Sequence, residues 1–313
     1  MLAEIAVGGF ALNSYHQRKK ALGANTEIKV SKIDKSKVIL DQVKELKYYW
    51  ELTPNEKWEE QPEWLGYKVS YHTNSDGLRE EKNYSIEKPA STFRIITLGD
   101  SFTYGQHVNT DQNWTEILEK KLNNVDCGYN NIEVINLGMG GFDVRYIVKR
   151  YQEIGAKYNP DLVIWFESDS GFTRFHELIK PLIEECDADE SIENEKQKKE
   201  VFHYCWVKAN QKINASIERH ILDGILYKQF ELFFNTIEEN KVAVFYYQNQ
   251  SGFELQIIDQ LKIRYPMAIF KDIIPNRTSK DVLLDGHPSP EGHKVISDSI
   301  YNFLLRENKL QCQ

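Results

Sequence analysis

The sequence predicts an α/β protein with a mostly parallel sheet, and two observations support this fold class. Short apolar runs rich in β-branched residues alternate with stretches in which apolar residues recur at helical spacing. A strand that is followed by a crossover helix pairs in parallel with the next strand. The first two runs also end in glycine, at the strand ends where open α/β sheets bind their ligands.

Composition indicates a globular chain and argues against one class of function. The chain has 313 residues, of which 41% are hydrophobic and 27% are charged, enough for one sizeable domain with additions. The net charge of -8 argues against a general nucleic-acid-binding protein, which would be basic. No apolar run reaches the roughly 18 residues of a membrane-spanning helix.

Residues 1–88 precede the alternating pattern, and we expect a lead-in that packs on a main domain of residues 89–313. Residues Ile5–Leu12 are apolar but too few to span a membrane. They form either a helix packed on the body or the trailing end of an anchor. An anchor would imply peripheral membrane association and an extracytoplasmic location, whereas a packed helix would leave the protein cytoplasmic. The anchor interpretation draws on the basic residues that follow, which are His16, Arg18, Lys19 and Lys20.

The lead-in also contains a helical pattern at Lys32–Lys47 and an aromatic cluster. A turn signal at Asn74–Gly77 predicts short strands around it. The rings either form a platform on which a sugar stacks or pack the lead-in against the main domain. These rings are Tyr48, Tyr49, Trp50, Trp58, Trp64, Tyr67 and Tyr71.

The first half of the main domain is predicted to contain three strands and two helices. The strands are expected at Phe93–Leu98, Ile132–Leu137 and Asp161–Phe166, which are short and apolar. One helix is expected at Val144–Ala156. The other helix, between the first two strands, is predicted from the spacing of Trp114, Ile117, Leu118 and Leu122.

The second half begins with a segment that interrupts the alternation of strands and helices. The charged stretch 172–210 predicts a largely helical insertion over the carboxyl end of the third strand. A fourth strand is predicted at Val242–Tyr247, a short extended piece at Met267–Phe270 and a last helix at Pro290–Leu305. Apolar residues at helical spacing predict two further helices. One runs toward Asn240 through Ile213, Ile217, Ile221 and Ile225. The other runs through Leu255, Ile258, Leu261 and Ile263.

The sequence predicts no metal site and no cofactor. It lacks an H-E-x-x-H pattern, an EF-hand and a glycine-rich phosphate loop with lysine. The four cysteines form no C-x-x-C pair, so a zinc site is disfavoured. They are either free thiols or include one disulfide such as Cys186 with Cys205; the other two are Cys127 and Cys312.

Two segments far apart in the chain supply the parts of acyl-transfer chemistry. Gly99-Asp100-Ser101 ends the first predicted strand, and Asp285 and His287 precede the last predicted helix. In such chemistry a serine hydroxyl attacks, an imidazole takes its proton and a carboxylate orients the ring. The α/β-hydrolase fold, with its elbow G-x-S-x-G, is disfavoured, because Thr103 stands where the second glycine of that elbow would be.

These segments resemble the SGNH (GDSL-type) esterases and lipases, and the resemblance runs from Phe93 to the C-terminus. The matching blocks are Gly-Asp-Ser followed by Phe102, the segment Asn136–Phe142, and His287-Pro288 with Gly292-His293. The resemblance implies a flavodoxin-like three-layer α/β/α fold and a serine esterase.

The resemblance also assigns roles to individual residues. Ser101 matches the nucleophile, His287 the base and Asp285 the acid, although the common spacing is Asp-x-x-His. The oxyanion donors implied are the N–H groups of Ser101 and Gly141 and a side chain after the third strand. That position holds Ser168 where the family has Asn. The difference matters because the loss of a well-placed oxyanion donor typically lowers the rate about 100- to 1000-fold.

Three further residues near these motifs have alternative interpretations. His107 is either a second candidate base or a solvated loop histidine. His293 is expected to be a helix-start residue rather than the base. Glu167 either orients the substrate or is repelled toward solvent.

Three functions follow from the resemblance. The first is an esterase that removes a short acyl group, such as acetyl, from a hydroxyl of a glycan or a small molecule. The second is an O-acyltransferase acting on an envelope glycan. The third is a catalytically silent glycan-binding protein of the same fold, motivated by Ser168 and by the shifted Asp285.

Overall fold

The structure, a computed structural model, describes residues 39, 42–168, 171–188, 195–248, 250, 252–307 and 309–310. The apolar run Ile5–Leu12, most of the predicted helix Lys32–Lys47 and Cys312 therefore lie outside the described residues. Among the residues that are described, no helix has the length and apolar character needed to cross a bilayer.

The centre of the fold is a parallel sheet of five strands. In the sheet the spatial order is β4-β3-β5-β6-β7, so the first strand of the domain lies between the second and the third. This is the flavodoxin-like order, and the predicted mostly parallel α/β fold is confirmed. The strands are β3 (Thr92–Leu98), β4 (Asn131–Asn136), β5 (Leu162–Glu167), β6 (Val242–Tyr247) and β7 (Ile269–Ile274).

Helices cover both faces of this sheet because alternate residues of each strand point to opposite sides. In β3, Ile96 and Leu98 belong to one core and Ile95 to the other. The first core is closed by α3 (Val144–Glu153), α6 (Arg219–Phe234) and α7 (Gly252–Arg264), and the second by α2 (Trp114–Leu122) and α8 (Pro290–Arg306). Strands buried on both faces explain the nearly continuous apolar runs in the sequence.

Two predicted boundaries differ from the structure. The helix expected from Ile213 toward Asn240 is two helices, α5 (Glu195–Ser216) and α6, separated at residues 217–218. Glu218 adopts an extended conformation before α6, which ends the helical path. The extended piece expected at Met267–Phe270 is the strand β7, which continues to Ile274.

The predicted insertion is helical, as expected. It contains α4 (His176–Ala188) and most of α5, and a disulfide joins Cys186 to Cys205 with Cα atoms 5.6 Å apart. Its apolar side chains form a third cluster with two lead-in residues, Ile39 and Val43, and with α6. The other members are Phe175, Leu178, Ile179, Ala209, Ile213, Leu222 and Ile225.

The described part of the lead-in carries a β-hairpin. Strands β1 (Lys57–Glu60) and β2 (Val69–His72) pair in antiparallel fashion, so the short strands are present. The turn at Asn74–Gly77 follows β2 and does not connect two strands. Most of the aromatic rings pack inward, Tyr71 being 2% exposed, whereas Trp50 is 45% exposed.

Candidate active site

The sharp turn after β3 places Ser101 at the carboxyl edge of the sheet. Gly99 has φ +157°, and a Cβ there would lie 2.1 Å from Thr103 Oγ1 and 2.9 Å from the Phe166 carbonyl oxygen. Only glycine fits between these groups. Asp100 then caps the short helix α1 (Ser101–Tyr104) by accepting the Phe102 N–H at 3.0 Å.

The structure brings Ser101, His287 and Asp285 together in a hydrogen-bonded chain. His287 Nε2 lies 2.9 Å from Ser101 Oγ, and His287 Nδ1 lies 2.9 Å from Asp285 Oδ2. Asp285 Oδ1 also accepts the backbone N–H of His287 at 3.3 Å. The loop bends so that Asp285 reaches the ring from two positions before it, despite the departure from the Asp-x-x-His spacing.

This arrangement suits the transfer of a proton from the serine hydroxyl. The His287 Nδ1–H can donate to Asp285, which leaves Nε2 free to accept the Ser101 proton. Burial opposes ionisation of Asp285, but hydrogen bonds from His107 and His287, together with their charges, hold the pKa of Asp285 well below its usual range. These contacts therefore favour the carboxylate form of Asp285.

Two backbone N–H groups are available for a developing oxyanion. Neither the Ser101 N–H nor the Gly141 N–H donates to another described residue. Gly141 has φ +78°, which favours glycine. The glycine segment is fixed to the end of β3 because the Met139 N–H donates to the Gly99 carbonyl at 3.3 Å.

Ser168 does not offer its hydroxyl proton to this site. It lies buried after β5 and donates to Asp100 Oδ2 at 2.7 Å. A serine hydroxyl has a single proton, so this bond uses its only donor. Asp100 Oδ2 also accepts from Arg174 Nη2 at 2.8 Å. No sequence motif marks Arg174, which lies in the insertion.

His107 occupies a position that neither sequence interpretation anticipated. Its side chain is buried, 4% of the residue being exposed, so the expectation of a solvated loop histidine is wrong. Its ring nitrogens contact Glu60 Oε1 at 2.5 Å and Asp285 Oδ2 at 3.0 Å. Because both nitrogens are directed at carboxylates, neither faces Ser101 as a base would.

His293 and Glu167 are both buried beside the site. His293 Nδ1 accepts the Trp114 N–H at 3.2 Å near the start of α8, as expected for a structural residue. Burial and the nearby cations Arg79 and His287 lower its pKa to about 3.

Glu167 accepts the Phe172 N–H at 2.8 Å, and burial raises the pKa of its carboxyl well above the usual value. Glu167 is therefore not repelled toward solvent.

One group of side chains in the described part of the chain has the spacing of metal ligands. Ligand atoms of His107, Asp285 and His287 lie within 4.8 Å of one another. The two contacts to Asp285 have hydrogen-bond lengths of 2.9 and 3.0 Å, which protons on the imidazole nitrogens explain. The absence of a metal and of a cofactor remains a prediction.

The strand order and the position of each block agree with the family resemblance. Ser101 follows the first strand of the central sheet, the glycine segment Gly138–Gly141 follows the second, and the loop with Asp285 and His287 precedes the last helix. The chain has an SGNH-type fold.

Comparisons with known proteins find similarity only among solved structures. No family model and no curated protein matches the sequence. A lipase/acylhydrolase from Enterococcus faecalis is 15% identical, with a TM-score of 0.43 over 71% of this chain and 97% of that chain. An acetyl xylan esterase from Butyrivibrio proteoclasticus is 13% identical, with a TM-score of 0.44 over 73% of this chain and 67% of that chain. At such identities, function must be argued from the side chains of this protein.

Proposed function

We propose that this SGNH-type chain is a serine esterase that works through an acyl-enzyme. The observation that supports this proposal most directly is the hydrogen-bonded chain Ser101–His287–Asp285, with both imidazole contacts at 2.9 Å. A serine, a base and an orienting carboxylate in this geometry form the constellation used for acyl transfer on several unrelated folds.

In the proposed reaction Ser101 Oγ attacks the ester carbonyl carbon while His287 Nε2 takes the hydroxyl proton. The N–H groups of Ser101 and Gly141 stabilise the negative oxygen that forms. His287 then gives its proton to the leaving alcohol oxygen as the ester C–O bond breaks. A water attacks the acyl carbon while His287 Nε2 takes a proton from it. The bond from the acyl carbon to Ser101 Oγ then breaks, His287 returns the proton to Oγ, and the acid is released.

The proposed substrate is a short acyl ester, such as an acetyl ester, on a carbohydrate hydroxyl. The short acyl group rests on the resemblance to the family. An aromatic surface beside Gly141 supports the carbohydrate. The Trp50 ring is 45% exposed and meets the Phe142 ring edge to face at 6.3 Å, and Phe142 follows the donor glycine directly. An exposed indole offers an apolar face on which a sugar ring can stack.

An O-acyltransferase is the second candidate, because the lead-in and the insertion meet beside Gly141. The Tyr48 ring contacts the His176 ring at 5.2 Å, and the Tyr49 ring contacts Phe142 at 5.4 Å. A site enclosed by these two segments could bind a sugar so that its hydroxyl, instead of water, attacks the acyl-enzyme. The acyltransferase would yield an acylated acceptor, whereas the esterase would yield the free acid.

A catalytically silent glycan-binding protein is the third candidate, favoured by the engagement of Ser168 with Asp100. Treatment with a fluorophosphonate probe separates it from the two enzymes. We expect the parent protein to be labelled and the Ser101→Ala variant to be unlabelled and to hydrolyse aryl acetates at least about 1000-fold more slowly. Ser70→Ala, which removes an exposed hydroxyl from β2, is the matched control. Equal labelling of parent and Ser101→Ala would refute the proposal.

A further inference from the structure

We propose that His107 is a positioning residue of the triad, and that His107 and Glu60 form a charged dyad that holds Asp285 in place. This inference rests on the proposed function, because it concerns how the same triad is oriented. The dyad is supplied by the lead-in hairpin and by the segment after α1, neither of which contributes to the motifs that resemble the family.

The first observation is that Asp285 Oδ2 accepts from two imidazole rings. His287 Nδ1 lies 2.9 Å from this oxygen and His107 Nε2 lies 3.0 Å from it. The second His107 nitrogen lies 2.5 Å from Glu60 Oε1. The side chains of His107 and Asp285 are only 5% and 7% exposed, so water competes little for these contacts.

The second observation concerns the charge that this geometry requires. A contact of hydrogen-bond length between a ring nitrogen and a carboxyl oxygen needs one proton, and both His107 nitrogens make such a contact. An imidazole, with an ordinary pKa of about 6.5, holds that proton more strongly than a carboxylate, with one of about 4. His107 is therefore an imidazolium. Burial opposes the charged form, but the hydrogen bonds and charges of Asp285 and Glu60 outweigh it, so the pKa of His107 is raised.

The third observation is that the surroundings fix this ring from several sides. The Tyr71 hydroxyl donates to Glu60 Oε1 at 2.7 Å and accepts the His107 N–H at 2.9 Å. The Tyr67 hydroxyl donates to the His107 carbonyl at 3.0 Å, and the Trp64 ring meets the imidazole edge to face at 4.9 Å. His107 also has φ +66°, a strained conformation that the packing must maintain.

The charged and titratable groups around His107 come from every neighbouring element. Glu60 lies on β1, Tyr71 on β2, and Asp285 and His287 on the loop before α8. Among the residues that the structure describes, a further cation is the Arg79 guanidinium, which lies over the Tyr71 ring at 4.5 Å. The remaining phenols are Tyr67, through its contact with the His107 carbonyl, and Tyr104, whose ring stacks on that of Tyr71 at 6.0 Å.

The dyad fixes the orientation of the Asp285 carboxylate, which the irregular loop alone does not do. Asp285 lies two residues before the base, next to Gly286 with φ +88°, so its carboxylate is carried by an irregular loop. The His107 N–H fixes the rotation of that carboxylate with Oδ2 toward His287. The imidazolium also lies 5.4 Å from the His287 ring, close enough for its charge to act on the base.

The protonation of His107 can be measured without any substrate. Selective ¹⁵N labelling of the eight histidines reports how many ring protons each one carries. We expect one histidine of the parent protein to keep both ring protons at pH 8 and its signal to disappear in His107→Asn. Asparagine tolerates the left-handed backbone but carries no imidazole. If no histidine of the parent is doubly protonated at pH 8, the proposal is wrong, whatever the activity.

Kinetics then test positioning. For His107→Asn we expect kcat/KM to fall about 10- to 100-fold, because Asp285 loses a charge-assisted hydrogen bond. We also expect the acidic limb of its pH profile to move up by about one unit, since a cation near the base is gone and Glu60 remains ionised. Glu60→Gln removes the anion together with the charge on His107. For this variant the loss of kcat/KM and the shift of the acidic limb should both be smaller than for His107→Asn.

The control is Glu59→Gln on the same strand, an exposed residue that pairs with Lys68 and should leave kinetics unchanged. Parent-like kcat/KM and pH profile in a folded His107→Asn would overturn the positioning role. So would a stoichiometric metal ion bound to the purified protein through His107, Asp285 and His287. Failure of the proposed esterase would appear differently, as a parent protein without fluorophosphonate labelling whose His107 is still doubly protonated.

Discussion

Ser168 has one hydroxyl proton, and Asp100 accepts it at 2.7 Å. If two amides form the oxyanion hole without Ser168, Ser168→Ala should reduce kcat less than about tenfold, whereas loss of a true oxyanion donor costs about 100- to 1000-fold. The same change should lower the free energy of unfolding by about 1.5 kcal/mol, because a buried carboxylate loses a hydrogen bond. Aryl acetate kinetics and urea unfolding measure the two effects.

Thr97→Val on β3 serves as the matched control for Ser168→Ala. The Thr97 hydroxyl is buried within the sheet and donates to the Ile135 carbonyl at 3.2 Å, and Thr97 precedes the turn that carries Ser101. This variant should be destabilised to a similar extent and keep its activity. A loss of 100-fold or more in Ser168→Ala alone would restore Ser168 as an oxyanion donor.

Sequence reasoning found Ser101, His287 and Asp285 because each lies in a short motif whose residue types already indicate the chemistry. It could not find the contact between Glu60 and His107, which are 47 positions apart and belong to no motif. That contact depends on how the hairpin packs over the segment after α1. The engagement of Ser168 was hidden for the same reason, since Asp100 lies 68 positions away.

Arg79 joins the lead-in to the segment that carries His107. Its buried guanidinium donates to the carbonyls of Tyr104, Gly105 and Val108. Arg79→Met keeps most of the volume but removes all three bonds. The Tyr104 carbonyl then keeps only the Asn113 side-chain donor and the Gly105 carbonyl only the Val108 N–H. The free energy of unfolding should therefore fall by about 3 kcal/mol. Activity should fall as well, because the segment positions His107. Urea unfolding and kcat/KM measure both effects.

Lys68→Met is the control for Arg79→Met. Lys68 lies in the same hairpin region and forms an exposed ion pair with Glu59, with side-chain exposures of 55% and 53%. Such pairs contribute at most about 1 kcal/mol, so this variant should be close to the parent in stability and activity. If Arg79→Met were equally stable, the lead-in would not be held by this contact.

The disulfide in the insertion joins α4 to α5 across a sequence separation of 19 residues. Closing a loop of this size stabilises the folded state by about 3 kcal/mol, chiefly by restricting the unfolded chain. The double variant Cys186→Ala/Cys205→Ala should therefore unfold at lower urea concentration. Fluorophosphonate labelling of Ser101 should persist in the folded variant, since neither cysteine contacts the triad. An unchanged urea midpoint would contradict the expected stabilisation.

The elements of the sheet were more predictable than those of the insertion. Four strands of the sheet, β3 to β6, are buried on both faces almost throughout, so their apolar runs appear directly in the sequence. The edge strand β7 exposes Lys271 and Asp272, and the sequence predicted only a short extended piece there. The helix that was predicted through Ile217 and Ile221 is interrupted between them, although the apolar spacing continues across the break. At the break the Ser216 hydroxyl donates to the Lys212 carbonyl at 2.6 Å, and Glu218 turns extended. Apolar periodicity does not report such a backbone event.

Stability of the whole molecule should depend on pH through its buried histidines. The folded pKa of His293 is about 3, because burial and the cations Arg79 and His287 oppose its charged form. The unfolded value is about 6.5. Between these values the unfolded chain binds more protons, so stability rises with pH and is lost as pH falls. Burial likewise lowers the pKa of His176 to about 4, with the same sign.

His107 acts in the opposite direction, since its raised pKa means that the folded state binds more protons above pH 6.5. Its contribution is present below the unfolded pKa and is lost as pH rises through the folded pKa. The two effects together should give a stability maximum near neutral pH. At pH 5 the loss due to His293 alone should be about 2 kcal/mol.

The variant His293→Asn tests how much of the stability loss at low pH is due to His293. The Asn Oδ1 atom can replace Nδ1 as the acceptor of the Trp114 N–H, but it does not titrate. Urea unfolding at pH 5 and pH 7 should show a smaller difference in the variant than in the parent, by about 2 kcal/mol. An equal difference in the two proteins would mean that His293 is already charged in the folded state, which its buried position beside Arg79 makes unfavourable.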